Sequence, residues 1–219
     1  MMSKQYAVMG LGRFGTAVAL GLAESGNEVT AVDSNEERVQ AVADVVTYSA
    51  VADVTKKGVC ESLGIGNVDV AVIGMSSHME DSILATIMAK EAGAGYIVAK
   101  AVSDIHATIL KKVGADQIVF PERESGTLLA KSISSGYFTK FFSLSDSFSI
   151  VEITPPASWI GHSLAEVNPR KNYGVNVIGL IDNGKTRINL DPQEPMEAGW
   201  ILVVVGDNKE LTKLGECRG

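Results

Sequence analysis

The hexapeptide Gly10-Leu11-Gly12-Arg13-Phe14-Gly15 is the first place where residue type and spacing suggest a chemistry. It is a G-x-G-x-x-G loop between an apolar run at 6–9 and a helical stripe at 13–24. In such a turn Gly10 permits the tight bend. Gly12 lets a phosphate approach the backbone, and Gly15 lets the helix pack on the sheet. The free N–H groups at the helix start offer donors and a partial positive charge to phosphate oxygens. Asp33 ends the next apolar run, 18 residues beyond Gly15. A carboxylate there accepts hydrogen bonds from a ribose diol and repels a 2′-phosphate, which disfavours NADP. Arg13 lies inside the loop, where a guanidinium can hold phosphate oxygens in a bidentate way. The plainer alternative for Arg13 is a solvated first-turn residue. The motif suits NAD, ATP, ADP and AMP alike.

These residues need a frame, and the first 120 residues supply one. Short apolar runs at 6–9, 29–32, 45–48, 70–73, 96–99 and 117–120 are rich in Val and Ile and nearly free of charge. Strands covered on both faces read this way. Helical patterns occupy 13–24, 35–43, 56–63, 79–91 and 105–113, with Phe14, Val18 and Leu22 spaced four apart in the first. Gly26, Gly64, Gly93 and Gly114 follow helices where a left-handed cap is wanted. The expected fold is α/β, a Rossmann-like doubly wound parallel sheet of six strands.

Ligands of such sheets lie beyond the C-terminal strand ends. Those ends carry Asp53-Val54, Met75-Ser76-Ser77, Lys100-Ala101-Val102 and Pro121-Glu122. Lys100 suits a phosphate and Glu122 a cation, although each also reads as a surface charge.

Beyond Phe120 the pattern changes. Pro121 opens a helix to about Ser135, with Glu122 and Glu124 in its first turn. Tyr137, Phe138, Phe141 and Phe142 follow at i, i+1, i+4 and i+5, which predicts one aromatic face of a helix. Strands are expected at 149–154, 174–181 and 199–205, with a hairpin turn at Asn183-Gly184 and a terminal helix at 209–214. The expected organisation is a nucleotide-binding domain at 1–120, a crossover helix and hinge at 121–147, and a small α+β domain at 148–219.

Composition narrows the function classes. The formal net charge is −7, so there is no general pull toward nucleic acid or anionic lipid. Two cysteines, Cys60 and Cys217, form no C-x-x-C pair, against a zinc knuckle or a disulfide scaffold. The N-terminus shows no signal-peptide core and the chain no apolar run of membrane-spanning length, so a soluble cytoplasmic protein without direct membrane insertion is expected. His78, His106 and His162 are scattered, and no Ser-His-Asp, Cys-His, HExxH or EF-hand pattern occurs. A nucleotide site without catalytic equipment points to a sensor rather than an enzyme.

Taken together, GLGRFG, Asp33-Ser34-Asn35-Glu36-Glu37, the Lys100 strand end, Gly114-Ala115-Asp116 with Pro121-Glu122, Leu144-Ser145-Asp146 with Ile150-Val151-Glu152, and the C-terminal module resemble RCK (KTN, TrkA-type) proteins. The resemblance spans the chain in order and is nearest to the cytosolic regulatory subunits of Ktr potassium-uptake systems. It implies homodimers assembled into an octameric ring beneath a membrane potassium- or sodium-translocating subunit. It implies ATP or ADP, and also NAD(H), in the first domain. The implied contacts are Arg13, Asp33, Ser34, Asn35, Asp53, Val54, Met75, Ser76, Ser77, Lys100, Ala101, Val102, His106 and Glu122. Arg13 would reach the terminal phosphate held by a neighbouring subunit. Glu122 would join a divalent-cation (Mg or Ca) site at the dimer interface. The helix after strand six would cross to the partner, burying the aromatic face there. The last domain would bind cyclic di-AMP through Leu164, Ala165, Pro169, Arg170, Asn176 and Pro192. Two other readings of the chain are an NAD(H)-dependent oxidoreductase and a free-standing nucleotide or redox sensor.

Overall fold

The computed structural model describes residues 4–75, 78–135, 138–145 and 147–216. The chain divides into two compact units, Met1–Pro121 and Glu122–Gly219.

In the first unit six strands form one parallel sheet in the order β3-β2-β1-β4-β5-β6. They are β1 (Gln5–Met9), β2 (Glu28–Asp33), β3 (Tyr48–Val51), β4 (Val70–Ile73), β5 (Ile97–Lys100) and β6 (Gln117–Val119). Helices α1 (Arg13–Glu24), α2 (Glu36–Gln40), α3 (Val59–Ser62), α4 (Met79–Ala92) and α5 (Asp104–Lys112) connect them. Strand order reverses between β1 and β4, and a crevice opens at such a switch point. Two hydrophobic cores result, one around Met9, Ile73, Ile97 and Leu110, the other around Val8, Leu11, Ala19 and Val29. Both contain sheet residues, as a sheet covered on both faces requires.

The expected Rossmann-like sheet is therefore present, with local differences. The third strand is Tyr48–Val51, not 45–48. It is an edge strand with one neighbour, so its apolar signal is weak. Val46 instead packs in the core between α2 and β3. Helix α3 starts only after Gly58, whose φ of 83° ends any earlier helical turn. Asn35 is the N-cap of α2 rather than part of it, its side chain accepting from Arg38 N.

The second unit begins along α6 (Pro121–Ser135). A five-stranded antiparallel sheet follows in the order β10-β9-β11-β8-β7. Its strands are β7 (Phe138–Ser143), β8 (Phe148–Ile153), β9 (Val175–Asp182), β10 (Lys185–Arg187) and β11 (Ile201–Asp207). Helices α7 (Leu164–Val167), α8 (Pro169–Tyr173) and α9 (Asn208–Glu216) complete it, and the core gathers on Trp159, Met196, Trp200 and Leu202. Asn183 and Gly184 both have positive φ, 46° and 78°, as a tight turn between β9 and β10 requires.

The aromatic segment is the main correction. It is strand β7, with Phe141 opposite Val151 and Phe142 opposite Ile150. Strand alternation splits the rings: Phe141 packs on the core and Phe142 is 54% exposed. The helical spacing was coincidental, because β8 offers an open edge that a β-prone aromatic segment pairs with. Tyr137 lies outside the described residues.

Candidate functional site

The glycine loop is built as the sequence requires. Gly10 has φ of 92°, and a Cβ there would meet Met75 N at 2.7 Å. A Cβ on Gly15 would collide with the Gly10 carbonyl oxygen. Gly12 differs: its φ is −70°, and a Cβ there would have nothing within 4 Å. Its missing side chain serves no packing need in this chain, so open space remains above the start of α1.

Asp33, 7% exposed at the end of β2, ties this loop down. Its Oδ2 accepts from Leu11 N at 2.6 Å and its Oδ1 from Asn35 N at 2.8 Å. Arg38 Nη1 lies 3.6 Å from Oδ2 and partly offsets the negative charge. Each carboxylate oxygen retains a lone pair for a ribose hydroxyl.

A cleft of about 430 Å³ opens at these strand ends. Gly10, Asp33, Ser34, Asp53, Val54 and Met75 line it, so six of the expected residues converge on one space. Ala52, at the same strand end as Asp53, lines it too, as do Arg38, Thr55, Lys56, His78 and Asp81, which sequence reasoning did not select. Arg38 could have been found from its position three residues after the Asn35 cap, because helical side chains lean back toward the N-terminus. Lys56 follows Asp53 by three residues and pairs with it at 3.6 Å. Asp53 Oδ1 also accepts from Thr55 Oγ1 at 2.6 Å and Thr55 N at 3.0 Å. The Thr55 hydroxyl first, then its N–H and the Lys56 charge, hold the Asp53 carboxyl below its ordinary value. The cleft thus carries a hydrogen-bonded carboxylate beside an exposed ammonium.

The other expected residues that are described lie outside this lining. Arg13 is exposed on the first turn of α1. Lys100 is 8% exposed, with Nζ 5.8 Å from the Phe14 ring centroid. Ala101 is buried and Val102 is 53% exposed. Glu122 is exposed on the first turn of α6. Ser76 and Ser77 lie outside the described residues. His106 has a setting of its own: it is fully buried, and both ring nitrogens have partners, Val102 N and Ser82 Oγ. Among the described residues no cluster of three or more His, Cys, Asp or Glu side chains could hold a metal ion. A cation at Glu122 therefore needs ligands from beyond these residues.

The second unit holds a separate cavity of about 300 Å³. Leu164, Ala165, Pro169, Arg170 and Asn176 line it, together with Asn168, Val175 and Val177. Pro192 is not part of this lining; its carbonyl oxygen accepts from Ala165 N at 2.9 Å. A capping box between Ser163 and Glu166 fixes α7, and the Asn168 cap, with φ of 46°, turns the chain into α8. One guanidinium and two carboxamides over aliphatic walls suit an anionic ligand that carries a flat heterocycle.

The TrkA-N domain profile matches residues 6–121 and the TrkA-C domain profile residues 148–216. The chain belongs to the TrkA-type (RCK) family. This TrkA-type chain is 32% identical to Ktr system potassium uptake protein C of Bacillus subtilis, covering 97% of this chain and 96% of that one. It is 35% identical to Ktr system potassium uptake protein A of Vibrio alginolyticus, covering 95% and 94%. Among solved structures, the GsuK channel bound to NAD superimposes with a TM-score of 0.65 at 16% identity, which shows the shared fold. That match covers all of this TrkA-type chain and 40% of the GsuK chain.

Proposed function

We propose that this chain is the cytoplasmic regulatory subunit of a membrane potassium-uptake system, gated by adenine nucleotide. The observation that carries the reading is its likeness to Ktr potassium uptake proteins along nearly the full length of both chains. The cleft adds the chemistry. Asp33 receives the ribose, the open backbone at Gly12 receives phosphate, and the lining from Asp53 to Lys56 receives the base. ATP and ADP are the primary ligands, and NAD(H) shares the adenosine half. Subunits pair as homodimers and close into an octameric ring. Leu128, Leu129 and Ile133, exposed on α6, form the apolar face that a second copy covers. Glu122 contributes to a divalent-cation site shared between copies. Cyclic di-AMP occupies the cavity beside Arg170 and Asn176. The protein attaches to the inner membrane face only through its translocating partner.

A ligand shifts such a ring only by its differential affinity for two shapes. ATP and ADP differ by one phosphate, and Arg13 is the group that senses it. The test is reconstitution with the partner translocating subunit and measurement of potassium flux. ATP stimulates flux above ADP in the wild type, and Arg13→Ala removes that difference while retaining ADP binding. Flux indifferent to both nucleotides would refute the reading and favour a free-standing nucleotide sensor.

A further inference from the structure

His106, Ser82 and Thr86 are completely buried polar side chains of the first unit, and the first two are joined to each other. Their hydrogen bonds form one continuous chain. Val102 N donates to His106 Nδ1 at 3.3 Å. His106 Nε2 and Ser82 Oγ are 2.7 Å apart, and Ser82 Oγ donates to the Met79 carbonyl at 3.0 Å. Only one proton arrangement satisfies all three bonds. Nδ1 must accept, so Nε2 carries the hydrogen and donates to the serine, whose own hydrogen goes to Met79.

The two ends of this chain lie in the first turn of α4 and in the turn after β5. Met79 begins α4, whose first turn and cap present Asp81 and His78 to the cleft. Val102 belongs to the turn after β5, two residues beyond Lys100, whose ammonium lies over Phe14 of the glycine loop. Ser103 caps α5 by accepting from His106 N at 3.2 Å, which anchors the imidazole to the same turn. We propose that His106 is a positioning residue: through Ser82 it fastens the turn after β5 to the first turn of α4, so that this turn and the cleft-bordering start of α4 move as one body. It acts on the cleft through the start of α4, which carries His78 and Asp81. The proposal rests on the nucleotide reading of the cleft only for its effect on affinity.

The test uses the full chain and the variants Ser82→Ala, His106→Asn and His106→Gln. Asn places an oxygen near the position of Nδ1 and keeps an acceptor for Val102. Gln reaches toward Ser82 and leaves Val102 N–H bare. His106→Asn is too short to reach Ser82, so all three variants cut the chain, and backbone hydrogen exchange at Val102 should accelerate about 5- to 30-fold in each. ADP should bind about 5- to 30-fold more weakly to each of them. The double variant Ser82→Ala/His106→Gln should be no weaker than either single one, because both cut the same chain. Additive losses, or unchanged Val102 protection in Ser82→Ala, would overturn the proposal. If wild-type protein binds no ADP, the nucleotide reading fails, and the exchange data still decide whether the turn after β5 is fastened to α4.

Discussion

The buried carboxylate of Asp33 accepts a hydrogen bond from Leu11 N at 2.6 Å, so the acid that ends β2 also fixes the glycine loop after β1. One residue therefore shapes the phosphate turn and faces the ribose. Asp33→Ala leaves Leu11 N and Asn35 N without their acceptor. The expected loss is about 1.5–3 kcal/mol of stability, together with nucleotide binding. Urea unfolding and ADP titration of the variant check both effects. Unchanged stability would mean that the loop holds its shape without the acid.

Gly12 and Gly15 separate fold from function. Gly15→Ala drives a methyl into the Gly10 carbonyl and should destabilise by about 1–3 kcal/mol or more. Gly12→Ala meets nothing in the protein and should leave the unfolding midpoint within about 1 kcal/mol of wild type. It nevertheless places a methyl where phosphate approaches, so ADP affinity should fall at least tenfold. Equal stability losses in the two variants would contradict this division.

The cavity of the second unit predicts a separate response. Arg170→Ala and Asn176→Ala should each weaken cyclic di-AMP binding by roughly tenfold, about 1.4 kcal/mol for one lost directional contact. ADP binding in the first unit should be unchanged in both. Calorimetric titration of the two ligands against each variant reads the result directly.

Acid should weaken the first unit as the His106 imidazole takes up a proton. Burial holds the His106 pKa below its ordinary value of 6.5. The unfolded chain then binds a proton that the native state refuses. Its contribution to stability is intact above pH 6.5 and is lost as the pH falls through that value toward the depressed one. Asp53 is held below 3.8 and Glu166 below 4.5, so their contributions are lost only in stronger acid. Thermal unfolding from pH 8 to 5 should show a decline that His106→Asn abolishes.

The sequence made the sheet legible because β1, β2, β4 and β5 are buried on both faces and carry no competing pattern. The edge strand β3 was harder to place, because one neighbour demands less apolar sequence. The aromatic segment misled because i, i+1, i+4, i+5 spacing fits a helix face as well as a strand that divides its rings between faces. Asp33 and the glycines were readable from spacing, since backbone geometry dictates their identity. Lys56 and Asp81 were not, because a surface cation or acid has no local signature until the fold brings it to the cleft. His106 was chosen from resemblance as a ligand contact, whereas its partners Ser82 and Val102 emerge only when α4 packs beside α5.

The most direct test of the account is thermal unfolding of the full chain, wild type and Gly12→Ala, with ADP and with ATP. A ligand at 100 times its Kd stabilises by about 2.7 kcal/mol. The account predicts that both nucleotides raise the wild-type midpoint and that each raises that of Gly12→Ala by about half as much or less, as a site at least tenfold weaker requires. A folded wild-type protein whose midpoint responds to neither nucleotide would contradict it.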